Sequence, residues 1–280
     1  MTERGREREG AGGSGREQST TSLPLPSAPA CARPITETLI HGDVPRYQIP
    51  TWRERFGVVA GITGGGFDLG LWTREPVGEV MTRWRAFRDA EPGFHGFVMS
   101  HQIHGAEVSW HEATTGWTIG SGLDGHLTAA AGTMVLVTVA DCIPVYLVVP
   151  DRRVVGLLHA GWRGTAAGIL SRGLEALTQR LNVPPSDIIV HCGVGICMDC
   201  YEVGSEVMRG CGIPHSGPGP WHLDLRAQLV RAAHDAGVAQ VTVSTWCTAH
   251  HRPAFYSHRA SGGVDGRMVA YLGYPAEQSR

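Results

Sequence analysis

Two short blocks hold the side chains best suited to chemistry, Val139-Ala-Asp-Cys-Ile-Pro-Val145 and Leu158-His-Ala-Gly-Trp-Arg-Gly164. Cys142 and His159 stand seventeen positions apart, and a third group, His101-Gln-Ile-His-Gly105, lies upstream. One soft thiolate with two imidazoles makes a three-donor set that suits zinc and leaves a fourth position for water. A second reading is open on spacing alone: Cys142 as a small apolar filler and His159 as a hydrogen-bonded strand end.

The donors need elements that bring them together. Between Cys142 and His159 run two apolar segments, Val145–Val149 and Val154–Leu158, separated by Pro150-Asp-Arg-Arg153. That pattern predicts two buried strands joined by a tight turn. Such a hairpin returns the end of the second strand to the start of the first, so Cys142 and His159 would share one sheet edge. Asp141, beside the cysteine, is a candidate base or orienting group.

The blocks Gln102-Ile-His-Gly105, Ala140-Asp-Cys-Ile-Pro-Val145 and His159-Ala-Gly-Trp-Arg-Gly-Thr165 resemble the signature blocks of the laccase-domain family. That family is also called the polyphenol oxidase or peptidoglycan editing factor family, and is now regarded as purine nucleoside phosphorylases. Further matches follow in order at Tyr201-Glu-Val203, Asp224-Leu225, Cys247-Thr-Ala-His-His251, Phe255-Tyr-Ser-His-Arg259 and Gly266-Arg267. The likeness spans roughly residues 50–275. It implies zinc ligands at His104, Cys142 and His159, and paired sheets with helices outside. It implies cleavage of adenosine, inosine, guanosine or methylthioadenosine by phosphate, with adenosine deamination at the same site. The chain departs from the family at Asp68, where Asn is usual, at Asp199 in Cys-Met-Asp-Cys, where Gly-Pro-Cys-Cys is usual, and at Ala260, where a second Arg is usual.

The 280 residues are 42% hydrophobic and 18% charged, enough apolar material for a sizeable core. A net charge of −2 offers no field for nucleic acid or an acidic membrane, and no run is long enough for a membrane span. No signal segment is visible, and seven cysteines are an odd number, so reduced thiols in a cytoplasm are expected. Residues 1–35 are rich in Gly, Arg, Glu, Ser and Pro and read as disordered. The fold is expected to start near Tyr47, giving a tail over 1–46 and one domain over 47–280. Strands and helices alternate irregularly, which predicts an α+β class: a single layered domain with mixed β-sheets and helices packed outside.

Several segments surround the site. Gly164–Leu181 carries Leu170, Leu174, Leu177 and Leu181 at helical spacing, so Arg163 and the following amides would lie at a helix N-terminus suited to an anion. Arg163, Arg259 and Arg267 are the groups assigned to phosphate, with Arg163 alternatively in a surface ion pair. Glu202 reads as a helix-start carboxylate or a proton carrier. His101 reads as a neighbour or supporter of the ligands, and His126 as a histidine of an exposed turn over Leu123–His126. Asp224 is a plausible N-cap for a helix over Leu223–Gly237. Cys192, Cys197 and Cys200 invite a structural zinc with Cys211, or a redox pair at Cys197 and Cys200, but the spacing fits neither well and a substrate loop is favoured.

Four functions can be weighed. In the first, a thiolate-ligated zinc and an anion pocket serve both nucleoside reactions, with a water ionised near neutral pH for attack at C6 of adenine. In the second, a Cys142/His159 hydrolase edits cell-wall precursors, and a bound metal would oppose it because a ligated thiolate is not a free nucleophile. The third, a copper oxidase of phenols, is disfavoured: copper clusters draw on His-x-His pairs, and the fourteen histidines contain none. The fourth is a zinc-bearing scaffold without turnover. The expected partners are purine nucleosides and phosphate, acted on by a monomer.

Overall fold

A computed structural model describes residues 32–73 and 75–277. In chain order the described elements are β1 (Arg33–Ile35), β2 (Thr38–Ile40), β3 (Arg46–Gln48), α1 (Trp52–Phe56), β4 (Val59–Thr63), α2 (Val77–Asp89), β5 (Gly96–His101), β6 (Val108–His111), β7 (Gly116–Ser121) and β8 (Gly125–Thr128). They continue with β9 (Thr133–Val139), β10 (Ile143–Val149), β11 (Val154–Ala160), α3 (Trp162–Ala166), α4 (Ile169–Leu181), β12 (Ile189–Cys192), β13 (Glu202–Val203), α5 (Ser205–Gly210), β14 (Trp221–His222), α6 (Leu225–Asp235), β15 (Gln240–Ser244) and β16 (Met268–Gly273).

Fourteen of the strands form two seven-stranded mixed sheets. One runs β1-β15-β12-β10-β11-β8-β6 and the other β2-β3-β4-β16-β9-β5-β7, while β13 and β14 make a small ribbon. Apolar side chains from both sheets meet between them, among them Ile62, Val98, Val137 and Ala270 from one and Val148, Val155, Leu157 and Ile189 from the other. The outer face of the first sheet packs on α4 and α6 through Leu147, Leu158, Leu174 and Leu229. The outer face of the second packs on α2 through Leu136, Val80, Trp84 and Phe87. Burial on both faces explains why β10 and β11 are continuous apolar runs rather than alternating ones. The α+β reading, with paired sheets and helices outside, describes this architecture.

The expected hairpin is present. β10 and β11 pair antiparallel from Val149 opposite Val154 to Ile143 opposite Ala160, around a one-turn 3₁₀ helix at Pro150–Arg152. Pro144 faces His159, so Cys142 and His159 do share an edge. Asp224 does cap α6, its carboxylate accepting from the Ala227 amide at 3.0 Å.

Three expectations are corrected. The ordered fold begins before Tyr47, because β1 adds to β15 and β2 to β3 as edge strands. Between them Glu37 is buried, accepting from Ser244 Oγ at 2.7 Å and lying 3.0 Å from His191 Nε2. Edge strands with one solvated face need little apolar sequence, which concealed these; residues 1–31 lie outside the described residues. The helix expected over Gly164–Leu181 is two helices, interrupted at Gly168, whose φ of 78° is open to glycine at little cost. Leu123–His126 is not an exposed turn: His126 lies in β8, fully buried, with Nδ1 2.9 Å from His111 Nε2. Burial, then the neighbouring His111, hold its pKa down at about 3. Among the described residues no helix is long and apolar enough to cross a membrane.

One hydrogen bond joins the sheets directly. The buried Tyr146 of β10 donates its hydroxyl to the Gly61 carbonyl of β4 at 2.8 Å. Tyr146→Phe is expected to lower stability by about 1–3 kcal/mol, since it removes the donor from a buried carbonyl. In urea unfolding the midpoint should fall with the slope unchanged; an unaltered midpoint would show that the bond contributes nothing net.

Candidate metal centre

Cys142, His159 and His104 come from three separate stretches. Cys142 immediately precedes β10, His159 is the penultimate residue of β11, and His104 lies in the loop between β5 and β6. Their donor atoms all lie within 4.8 Å of one another. The imidazoles of His104 and His159 stand edge to face, with centroids 4.8 Å apart. Two residues here take left-handed backbone, His104 at φ 60° and Asp141 at φ 87°. Gly161 makes the closeness possible: a Cβ there would sit 3.0 Å from the Cys142 sulfur and 3.1 Å from His104 Cδ2.

Asp124 holds the set in place. Its fully buried carboxylate accepts from the amides of Gly105 at 2.7 Å, His104 at 3.1 Å and Ile103 at 3.3 Å. The same group lies 2.8 Å from His159 Nδ1, and its backbone carbonyl accepts the His159 amide at 2.7 Å. With Nδ1 engaged by Asp124, Nε2 is the His159 nitrogen left for an ion, the usual carboxylate–histidine arrangement of metal sites. Burial pushes the Asp124 carboxyl up, but the His159 hydrogen bond and the Gly105 amide outweigh it and hold it below the ordinary value. Sequence reasoning missed this residue and looked to His101 for the supporting role. The one available signal was that a ligating histidine needs an acceptor for its second ring nitrogen, a role any carboxylate in the chain could fill. His101 is exposed and lies against Trp72, with ring centroids 4.6 Å apart.

The three donors line a cavity of about 310 Å³ together with Trp72, His101, Gln102, Thr138, His258 and Arg267. Gln102 is locked to β9, accepting from the Thr138 amide at 2.7 Å and donating to the Thr138 carbonyl at 2.9 Å. This fixes the loop that carries His104.

The other sequence-nominated residues divide. Arg267 lines the cavity, its guanidinium donating to the Asp265 and Gly266 carbonyls at 2.9 and 3.0 Å. Asp68 accepts from the Arg267 and Gly70 amides at 2.7 and 2.8 Å through one oxygen, roles that Asp fills as well as Asn. Arg163 does not line the cavity; it stacks on Trp162 and faces Glu206 at 3.7 Å, on the surface. It sits inside α3, one residue after the helix start, rather than ahead of a helix opening at Gly164. Asp141 has both oxygens occupied, by Thr248 Oγ1 at 2.6 Å and the Arg259 amide at 2.6 Å. Arg259 lies over Tyr201 and donates to the Glu202 carbonyl. The Glu202 side chain is exposed in β13, not buried at a helix start. Cys192 is buried in β12, and Cys211 approaches the Trp162 carbonyl, so neither joins Cys197 and Cys200.

The donor chemistry fits zinc: one thiol, two imidazoles and a carboxylate behind one of them, open to a polar cavity. Burial pushes the Cys142 thiol up, yet His159 and the His104 contact outweigh it and bring it down to about 6. Burial lowers His159, but the Cys142 sulfur and the Asp124 carboxylate raise it to about 9. Without metal, the pair is therefore thiolate and imidazolium between those limits, and thiolate is lost only as pH falls through about 6. Alkylation of Cys142 in metal-free protein, read from its peptide by mass spectrometry, should accelerate through pH ~6; a midpoint at an ordinary thiol value would refute the ion pair. Asp124→Asn is expected to weaken zinc binding by about 10–100-fold, because the amide cannot accept from all its donors. Competition with a chromophoric chelator measures this, and unchanged affinity would show that Asp124 does not support the ligands.

Comparison with known proteins finds relatives along most of the chain. A purine nucleoside phosphorylase, YlmD, of Geobacillus stearothermophilus is 33% identical over 248 residues, 78% of this chain and 90% of that protein. An adenosine deaminase, RL5, from an unknown prokaryotic organism is 32% identical over 182 residues, 61% of this chain and 67% of its own length. The crystal structure of YlmD from G. stearothermophilus superposes with a TM-score of 0.75 at 29% identity, covering 86% of this chain and all of that one. Residues 51–274 match the family described as multi-copper polyphenol oxidoreductase laccase, and the chain belongs to that family.

Proposed function

We propose that the protein is a zinc-dependent purine nucleoside phosphorylase that also deaminates adenosine at the same site. The observation that carries this reading is the His104, Cys142 and His159 donor set opening onto the cavity that Arg267 and His258 share. Relatives named for each of the two activities support it. The cavity is at the small end of ligand sites, about 300–1,000 Å³, which suits a nucleoside rather than a polymer.

Bound zinc supplies Lewis acidity and, for deamination, an activated water. The protein's own groups do the rest. Trp72 and His101 offer aromatic faces on which a purine can stack. Arg267 is the cavity's guanidinium and the natural contact for phosphate. In phosphorolysis a phosphate oxygen joins C1′ as the bond to N9 breaks. The bond electrons leave with the base, which takes up a proton, giving purine and ribose 1-phosphate. In deamination water adds at C6 and ammonia leaves, giving inosine. Asp141 acts as an orienting group, since both its oxygens are held, and Glu202 acts on Arg259 through its backbone carbonyl. Arg259, held over Tyr201, is a second candidate for phosphate, and Arg163 stands outside that set. One chain supplies every group, so a monomer suffices. A reactive thiolate fits the reducing cytoplasm.

Asp124, His159 and Cys142 also form a line that resembles a cysteine hydrolase triad. A second imidazole, His104, aimed at the same sulfur is unnecessary to a nucleophile and necessary to a metal site.

The test is incubation with adenosine, with and without phosphate, and separation of adenine, inosine and hypoxanthine. Free base should require phosphate, inosine should not, and Cys142→Ala should abolish both along with zinc at that site. Arg267→Ala should raise the KM for phosphate about tenfold or more, as for a lost charge-assisted bond of about 1.5–3 kcal/mol. Arg163→Ala should leave it near wild type. Normal turnover by Cys142→Ala would sink the metal-dependent reading.

A further inference from the structure

Away from the first centre, the sequence carries two short pairs at equal spacing, Cys197-x₂-Cys200 and Cys247-x₂-His250. The fold brings them together: the four donor atoms lie within 4.8 Å of one another, with the Cys247 side buried and His250 at the surface. We propose that Cys197, Cys200, Cys247 and His250 hold a second metal ion, a four-coordinate zinc that fastens the 195–201 loop to the 247–251 loop.

The geometry suits that ion. Cys197 Sγ lies 3.6 Å from His250 Nδ1. Zinc bonds of about 2.3 Å to sulfur and 2.0–2.1 Å to nitrogen make the edge of a tetrahedron about 3.6 Å. Each pair sits on a turn: the Cys200 amide donates to the Cys197 carbonyl at 3.2 Å, and the His251 amide to the Cys247 carbonyl at 3.0 Å. The Cys197 amide also donates to Cys247 Sγ at 3.3 Å, an interaction that favours a thiolate. The six described cysteines are unpaired. A disulfide would use two sulfurs and leave a third thiol and an imidazole at the same point without a role. A metal uses all four.

The loops are already in register for such a staple. Gly195 and Cys247 form a parallel bridge, and the Thr248 amide donates to the Gly195 carbonyl at 3.1 Å. Arg226 of α6 ties both, donating to the Gly195 and Trp246 carbonyls, each at 2.6 Å. Four protein donors leave no open position, so the ion is structural rather than catalytic. Its consequence reaches the first centre through two neighbours. Thr248 holds Asp141, next to Cys142, and Tyr201 and Glu202, directly after Cys200, receive Arg259. Binding releases the thiol protons to solvent and needs no oxidant. The inference stands apart from the nucleoside reading, since the two sites share no ligand.

The test is metal content of full-length protein purified with zinc and reductant, counted by mass spectrometry after gel filtration. The wild type should hold two zinc ions per chain. His104→Ala/Cys142→Ala should hold one, and Cys197→Ser/Cys200→Ser should hold one. Cobalt loaded into the first variant should give the intense thiolate charge-transfer bands of a three-sulfur tetrahedral site. A folded His104→Ala/Cys142→Ala protein without metal overturns the proposal. If that variant does not fold, the wild type decides: two ions support the second site. One ion, retained unchanged by Cys197→Ser/Cys200→Ser, overturns it.

Discussion

The carboxylate of Asp124 is the contact on which the site depends. It is sealed from solvent and carries charge, a placement that is costly unless every lone pair finds a donor. Three consecutive amides of the His104 loop and the His159 ring supply those donors. The same group therefore turns the loop, selects the His159 nitrogen that faces the cavity and makes that imidazole more basic. Two ligands from distant parts of the chain are coupled through one acid. The β10–β11 hairpin then carries Cys142 to them by strand register alone.

Around this acid the backbone is held in conformations it would not choose. His104 and Asp141 both have positive φ without being glycine, at a cost of order 1–3 kcal/mol each. The compensating contacts are visible: Asp124 grips the His104 amide, and Asp141 grips Thr248 and the Arg259 amide. Gly161 removes the side chain that would fill the space between Cys142 and His104. Positive φ at two residues beside the donors, each held by such contacts, fits a preorganised site.

The two centres differ in what they leave open. His104, Cys142 and His159 offer three donors and a cavity, the composition of a catalytic zinc site. Cys197, Cys200, Cys247 and His250 offer four donors, the composition of a structural one. The hydrogen bond from Thr248, in the second loop pair, to Asp141, beside Cys142, connects them.

Local pattern was enough for whatever depends on neighbouring residues. The apolar runs of β10 and β11, the turn at Pro150–Arg153 and the Asp224 cap were legible, because burial on two faces and capping chemistry write themselves into consecutive positions. The grouping of His104 with Cys142 and His159 was expected only with a family resemblance beside it, since spacing alone left His101 and His104 equivalent. What tertiary structure decided were meetings between segments far apart in sequence. Asp124 supports His159 across 35 positions, and Cys197 meets His250 across 53. Arg163 turns to Glu206 while Arg267 enters the cavity, a difference in side-chain direction that residue type does not encode. The edge strands before Tyr47 and the buried His126 escaped for the same reason. Their places are set by partners contributed from elsewhere in the fold, β15, β3 and His111, and a one-dimensional pattern records a residue's own chemistry but not its partner's.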